Sequence, residues 1–96
     1  MEYKLVVSKQ FEKSFKKFAS KNESLKNTIS KTLEKLSKNP FDTSIRTHKV
    51  SGKLAAYLSC YCGFDCRIIF IIEKSPNHLN ISHVILLDIG THDEVY

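Results

Sequence analysis

Side chains that can exchange protons or hold an anion lie at three places in the sequence, all outside its helical segments. RNA cleavage needs a base for the 2′-hydroxyl, a cation for the phosphate and an acid for the departing 5′-oxygen. Histidine titrates near neutrality, and arginine presents a planar fork of donors that matches phosphate oxygens. The residue types therefore suit metal-independent phosphodiester cleavage if the fold brings the three places to one rim. The three groups are His48, Lys49 and Lys53; Asp65 and Arg67; and His92 and Tyr96.

Each of these residues also has an ordinary structural explanation. His48 lies in a polar stretch, where a surface histidine without a catalytic role fits as well as a catalytic one. Asp65 and Arg67 are two residues apart, so a structural salt bridge explains the arginine equally well. Lys49 and Lys53 are consistent with solvated surface charges, and a terminal tyrosine is commonly frayed. Spacing alone therefore leaves the nuclease interpretation open.

Length and composition predict one small basic domain. The chain has 96 residues, so a single domain over 1–96 is expected, and its 42% hydrophobic and 26% charged residues exclude a disordered class. Residues 1–53 carry 13 Lys or Arg and 5 Asp or Glu, whereas residues 54–96 carry 2 and 5. The basic half indicates a polyanionic partner, either nucleic acid or an acidic protein.

The cysteines and the N-terminus indicate a reducing compartment. No stretch approaches the ~18–20 apolar residues of a membrane span, which predicts a cytoplasmic protein without membrane association. Cys60, Cys62 and Cys66 are odd in number in a chain of ordinary core composition, so free, reduced thiols are expected. Their spacing fits none of the usual paired zinc-ligand patterns. No metal and no cofactor are therefore expected.

The first half of the chain predicts a strand and two helices. Residues 3–7 form a short, apolar segment with adjacent valines, which predicts a strand, and Ser8 is a good helix N-cap. Phenylalanines at steps of four and three then predict an amphipathic helix. After a break near Asn22, leucine and isoleucine repeat the pattern until Pro40 ends it. The two helices would form a hairpin whose apolar stripes pack on a sheet.

The second half predicts an antiparallel set of strands. Residues 41–53 lose the helical period and are predicted as a loop with at most one short strand. The last six residues, 91–96, are too short for an element of their own. The order β-α-α-β-β-β predicts an α+β fold, an antiparallel sheet packed against an N-terminal helical hairpin. The later predicted strands are residues 54–61, 66–72 and 79–89.

Three sequence blocks resemble the signature blocks of the RelE/ParE toxin superfamily: residues 48–54, 65–70 and 88–96. The closing Ile-Gly-Thr-His-Asp-Glu-Val-Tyr is the most specific, and it looks most like the RelE branch with its YafQ-type and HigB-type members. Chain length, the lysine-rich helical pair and the order of strands agree across nearly all of the sequence. The resemblance implies a RelE-like fold.

The resemblance also implies a function and partners. A RelE-branch member is the toxin of a type II toxin–antitoxin system, a ribosome-dependent endoribonuclease that enters the A site and cuts the translated messenger. The implied partners are a cognate antitoxin, in a hetero-oligomer, together with the ribosome and messenger RNA. The basic helices would contact ribosomal RNA through sequence-independent electrostatics.

Roles transfer onto individual positions of this chain. His48 and His92 would be general base and general acid, in an undecided order, with Asp65 assisting or replacing one of them. Arg67 would hold the scissile phosphate, and Tyr96 would orient or stack on the substrate. The lysines near phosphate-binding family positions are Lys49 and Lys53.

The sequence departs from the YafQ-type pattern at Tyr61 and Cys66, where relatives can carry a histidine and a tryptophan. A ParE-like protein that blocks DNA gyrase by binding is the alternative from another class. Such chains generally lack the histidine and lysine set, so the closing block favours the nuclease. An inactive relative that only binds antitoxin is a third possibility.

Overall fold

A five-stranded sheet that packs against two long helices forms the body of the structure, a computed structural model that describes residues 2–50 and 57–96. Its elements are β1 (Glu2–Val7), α1 (Lys9–Ala19), α2 (Glu23–Lys38), a 3₁₀ turn (Thr43–Ile45), β2 (His48–Lys49), β3 (Leu58–Tyr61), β4 (Arg67–Lys74), β5 (Ile81–Gly90) and α3 (His92–Val95). The strands lie in the order β1-β5-β4-β3-β2. No helix in the described ranges is long and apolar enough to cross a membrane. The predicted α+β class is confirmed.

The first helix begins at the predicted cap, Ser8, and the second begins at Asn22, where the sequence predicts only a break. The Ser8 hydroxyl accepts a hydrogen bond from the Phe11 N–H at 3.0 Å, and the Asn22 side chain accepts one from the Leu25 N–H at 3.0 Å. Each cap satisfies an N–H group that has no partner within its helix. The helix α2 ends at Lys38, just before the predicted stop at Pro40.

The apolar stripes of both helices form one core with the sheet. Phe11, Ile29 and Leu36 are 4%, 1% and 0% exposed and belong to the same buried cluster as Phe70 and Leu86. Full burial of each such side chain stabilises a fold by roughly 1.5–3 kcal/mol. The helical hairpin is therefore held on one face of the sheet by the stripes that predicted it.

The sheet is mixed, which corrects the expectation of a wholly antiparallel one. Antiparallel pairing joins β2 to β3, β3 to β4 and β4 to β5, but β1 pairs with β5 in parallel, with Leu5 opposite Val84. The antiparallel pairing from β2 through β5 fixes the direction of β5. The helical connection after β1 then lets that strand lie parallel along the free edge of β5, because parallel neighbours require a long crossover.

A bulge near the end of β5 sets the phase of its last residues. Ile69 lies opposite Asp88 while Phe70 lies opposite Leu86, so β5 contains one extra residue there. Leu86 and Ile89 both join the core although they are three residues apart, which strict alternation would forbid. The bulge thus fixes how the chain leaves the sheet toward α3.

The final residues form a helix, which corrects the prediction that they are too short for an element. The Thr91 hydroxyl accepts a hydrogen bond from the Glu94 N–H at 3.3 Å, and the Glu94 carboxylate accepts one from the Thr91 N–H at 3.0 Å. This capping box satisfies two N–H groups reciprocally and makes a single helical turn stable enough to form.

One part of the sequence prediction is not tested by the structure. Residues 54–56, the start of the strand predicted over residues 54–61, lie outside the described residues.

Candidate active site

Four side chains share the face of the sheet that is turned away from α1 and α2. In the register His48 lies opposite Ser59, and Tyr61 lies opposite Arg67. Alternation places these four on one side, because Cys60, between Ser59 and Tyr61, points into the core. We call the surface formed by His48, Ser59, Tyr61 and Arg67 the open face.

Arg67 lies over an aromatic ring rather than beside a carboxylate. Its Cζ is 3.7 Å from the centroid of the Tyr61 ring, and its Nη1 donates to the Cys66 carbonyl at 2.9 Å. None of the ion pairs in the described residues involves Arg67, so a salt bridge with Asp65 is not formed. A guanidinium has five N–H groups, and this geometry leaves several to bind an anion such as phosphate.

His48 has one ring nitrogen committed to the backbone. Its Nδ1 lies 2.9 Å from the Arg46 carbonyl oxygen. Because a carbonyl only accepts hydrogen bonds, Nδ1 must carry a proton, and the neutral ring then has its lone pair on Nε2. The ring is exposed and meets the edge of Tyr61 at 6.1 Å between centroids. His48 can therefore accept a proton from a ligand on the open face.

The C-terminal turn folds back onto the same face. The His92 N–H donates to the Asp65 carboxylate at 3.2 Å, which ties α3 to the turn between β3 and β4. The His92 and Tyr96 rings meet edge to face at 4.5 Å, and the Tyr96 hydroxyl donates to the Ser59 hydroxyl. Tyr96 thus reaches across β4 to β3, and this hydrogen bond anchors the C-terminal residue, whereas a terminal tyrosine is commonly frayed.

A disulfide closes the turn between β3 and β4. Cys62 and Cys66 are bonded, with Cα atoms 5.0 Å apart, whereas free thiols were expected. The expectation failed because it rested on cysteine number, while the hairpin brings these two residues together: the Cys62 N–H donates to the Cys66 carbonyl at 3.0 Å. Cys60 stays a free thiol, and burial raises its pKa to about 12.

The residues of this turn adopt conformations that suit their types. Gly63 has φ +114° and Asp65 has φ +50°, regions that glycine and aspartate tolerate best. A Cβ on Gly63 would stand 3.2 Å from the Thr28 methyl group of α2, so the turn is packed closely on that helix. Asp65 and Arg67 border one cleft of about 240 Å³ together with Tyr61, Gly63 and Phe64.

Of the two predicted phosphate-binding lysines, the structure describes only Lys49, which is not gathered with the other site residues. Lys49 follows His48 in β2 and therefore leaves the strand on the side opposite to the open face. Lys53 lies outside the described residues. The structure thus brings together His48, Asp65, Arg67, His92 and Tyr96, but not Lys49. Within ranges 2–50 and 57–96, no group of three His, Cys, Asp or Glu residues is arranged to hold a metal ion.

Sequence reasoning overlooked three residues that build the site. Tyr61 supports Arg67, Ser59 anchors Tyr96, and the Arg46 carbonyl orients His48. The sequence marks Tyr61 only as a departure from the YafQ-type pattern, and its place opposite Arg67 follows from the hairpin register. The left-handed conformation of Arg46, at φ 52°, has no local sequence signal.

Solved structures share this fold. The chain is 28% identical to a conserved hypothetical protein from Helicobacter pylori, covering 100% of both chains with a TM-score of 0.71. A YoeB/ParE toxin from Agrobacterium tumefaciens is 15% identical, with 93% of this chain and 98% of that one covered and a TM-score of 0.75. The Escherichia coli DinJ-YafQ toxin-antitoxin complex contains a chain that is 17% identical, with 100% and 99% covered and a TM-score of 0.73.

A family model supplies the assignment that fold similarity alone does not. A search of curated proteins found no match. The model described as the bacterial toxin of type II toxin-antitoxin systems, YafQ, matches residues 3–96, which include every residue of the site built above. The chain therefore belongs to the YafQ family of bacterial toxins of type II toxin–antitoxin systems.

Proposed function

We propose that this toxin is a ribosome-dependent endoribonuclease that cuts translated messenger RNA in the A site and so inhibits translation. The observation that carries the proposal is the grouping of His48 and Arg67 around Tyr61 on the open face. A lone-pair nitrogen and an anion-binding guanidinium beside one exposed face are what attack on an RNA phosphate requires.

The reaction divides among three side chains. His48 Nε2 takes the proton of the 2′-hydroxyl, and the 2′-oxygen attacks the adjacent phosphorus. Arg67 stabilises the charge that develops on the phosphate oxygens. His92 donates a proton to the 5′-oxygen as the bond from phosphorus to that oxygen breaks, leaving a 2′,3′-cyclic phosphate and a free 5′-hydroxyl. The hydrogen bond from His48 Nδ1 to Arg46 favours His48 as the base.

Asp65 and Tyr96 act through position. Asp65 accepts from the His92 N–H and thereby holds the start of α3 beside the β3–β4 turn. Tyr96 packs against the His92 ring and is held by Ser59, so its ring is available to orient a substrate base.

The proposed partners follow from the family and from charge. A cognate antitoxin would bind the toxin in a hetero-oligomer, as DinJ does with YafQ in the E. coli complex. The lysines on α1 and α2 would contact ribosomal RNA, a sequence-independent electrostatic interaction. Lys53 is proposed as a further phosphate contact, and Lys49, which projects away from the open face, is proposed to contact phosphates of ribosomal RNA rather than of the cleaved strand. Activity on translating ribosomes would place the protein in the cytoplasm.

The proposal is tested by expressing the toxin in a bacterium without antitoxin and mapping messenger ends by primer extension. Wild type should stop growth and produce new 5′ ends inside translated regions, and His48→Ala and His92→Ala should not. Full cleavage by both variants would refute the assignment of the site.

The same experiment separates the alternative. Growth arrest with intact messenger and stalled supercoiling would indicate a gyrase inhibitor of the ParE type. Absence of any arrest would indicate an inactive member that binds antitoxin.

A further inference from the structure

A second cavity, of about 430 Å³, adjoins the active-site cleft, and we call it the α2 groove. It lies between α2, the 3₁₀ turn and the β3–β4 turn. The residues on its border include Lys31, Lys35, Ser44 and Arg46. Tyr61 and Gly63 border both this groove and the cleft that contains Arg67, so the two cavities share a wall.

The groove has an excess of positive charge. None of the ion pairs among residues 2–50 and 57–96 involves Lys31, Lys35 or Arg46. Lys35 Nζ donates to the Ser44 hydroxyl at 2.8 Å, and Ser44 in turn donates to the Asp42 carboxylate at 2.6 Å. The hydrogen bonds from Ser44 lower the pKa of Asp42, so one carboxylate remains charged there against three cations.

Arg46 connects the groove with the catalytic residues. Its carbonyl oxygen orients His48, while its guanidinium carbon lies 5.8 Å from the centroid of the Tyr61 ring. Arg67 lies at 3.7 Å from the same centroid. The Tyr61 ring therefore lies next to two guanidinium groups, that of Arg67 in the cleft and that of Arg46 at the groove.

We propose that the α2 groove is an anion subsite that binds the phosphodiester next to the scissile one, so that a single RNA strand runs from Arg67 past Tyr61 to Lys31 and Lys35. These two lysines would then bind the messenger, and the other lysines of α1 and α2 would contact ribosomal RNA. This inference rests on the proposed function, because it needs the scissile phosphate at Arg67. An acidic protein segment would match the charge equally well. The shared wall with the cleft favours RNA, because a strand held at Arg67 has to continue beyond it.

Binding of purified, full-length toxin to a single-stranded 2′-O-methyl RNA oligonucleotide tests the subsite, since that RNA has no nucleophilic 2′-hydroxyl to be cleaved. Affinity is measured by fluorescence anisotropy over a series of salt concentrations. For single strands the salt slope falls by ~0.7 for each phosphate contact that is lost. Lys31→Gln with Lys35→Gln should therefore lower the slope by about 1.4, and Lys31→Arg with Lys35→Arg should keep it.

A charge-matched control uses Lys4→Gln with Lys74→Gln, which removes two exposed strand lysines outside the groove and should leave the slope unchanged. An unchanged slope in the groove variant, or an equal fall in the control, would overturn the subsite. Circular dichroism melting confirms that each variant is folded.

Two further binding experiments test whether the α2 groove binds an acidic protein or ribosomal RNA instead of the messenger. A polyglutamate peptide that loses affinity for the groove variant, with RNA binding intact, would overturn the proposal in favour of an acidic protein partner. Weaker co-sedimentation with messenger-free ribosomes, with an unchanged oligonucleotide slope, would assign the groove to ribosomal RNA and overturn it as well.

Failure of the proposed function gives a different result. If wild-type toxin cleaves no messenger in a translation extract while the groove variant still shows the smaller salt slope, the nuclease assignment fails, and the groove binds RNA phosphate without a scissile phosphate beside it. If the wild type cleaves and the groove variant shows no change in slope, the nuclease assignment stands and the subsite fails.

Discussion

The guanidinium carbon of Arg67 lies over the Tyr61 ring, 3.7 Å from the ring centroid. The two residues face each other across β3 and β4, so the contact is set by strand register. A cation–π contact contributes about 0.5–2 kcal/mol depending on how far it is desolvated. Tyr61 thereby limits the orientations in which Arg67 can meet a phosphate.

Replacing Tyr61 should therefore impair the reaction through Arg67. Tyr61→Leu is expected to lower the rate of messenger cleavage in a translation extract by about 2- to 30-fold, the equivalent of that contact. Tyr61→Phe keeps the ring and should stay close to wild type. A large loss in the Phe variant would mean that the hydroxyl itself takes part, and an unimpaired Leu variant would exclude the positioning role.

The two histidines should differ in what rescues them. Each alanine variant is expected to lose about 10²- to 10⁴-fold in cleavage rate. A messenger with sulfur in place of the scissile 5′-oxygen carries a leaving group that needs no proton. Cleavage of this substrate should recover in His92→Ala but not in His48→Ala, as quantified by primer extension. Rescue of the His48 variant instead would reverse the assigned base and acid.

The hydrogen bond between Tyr96 and Ser59 should stabilise the fold as a unit. Tyr96→Phe and Ser59→Ala are each expected to lower the free energy of unfolding by about 1 kcal/mol, since both remove the same bond. The double variant should lose clearly less than the sum of the single losses in urea denaturation. Strict additivity would show that the tail is not anchored there in solution.

The α3 capping box predicts a pH-dependent stability. Hydrogen bonds from the Thr91 backbone and side chain lower the pKa of Glu94 below its ordinary value of 4.5. The stabilisation is therefore complete above pH 4.5 and is lost as the pH falls through the lower, folded-state pKa. Thermal melting should show Glu94→Gln less stable than wild type at pH 7, with a difference that narrows below pH 4.5.

An exposed carboxylate on β4 serves as the control for this effect. Glu73→Gln should not reproduce the pH dependence of the Glu94 variant. A gap between wild type and Glu94→Gln that stays constant with pH would contradict the capping contribution.

The cysteines should label in a fixed order. Without reductant, the native protein should bind no thiol reagent, because Cys60 is buried and burial raises its pKa to about 12. Denaturation should expose that one thiol, and reduction should expose the pair Cys62 and Cys66 as well.

Loss of this disulfide should also reduce stability. The chain-entropy model assigns about 2 kcal/mol to a loop as short as this one, so Cys62→Ser with Cys66→Ser should unfold at lower urea concentration than oxidised wild type. Reductant should also lower the wild-type midpoint, though by less than the double variant, because the serine hydroxyls would be buried in place of Cys62 and Cys66. If all three cysteines of the unreduced, denatured protein reacted with the thiol reagent, the Cys62–Cys66 disulfide would not be formed.

The sequence by itself determined the elements that depend on local chemistry and periodicity. Ser8 caps its helix as predicted, and the phenylalanine and leucine stripes are buried against the sheet, because capping and amphipathic period are properties of neighbouring residues. The signature blocks likewise pointed to the family that the match over residues 3–96 shows.

Tertiary structure alone decided the relations between distant residues. The parallel pairing of β1, the bulge in β5 and the Cys62–Cys66 bond depend on which edges and hairpins meet, and no local pattern specifies that. Two features of the site depend on tertiary structure in the same way: Tyr61 supports Arg67, and Lys49 projects away from the open face. Strand register decides which side chains share a face, and it is set by the whole sheet.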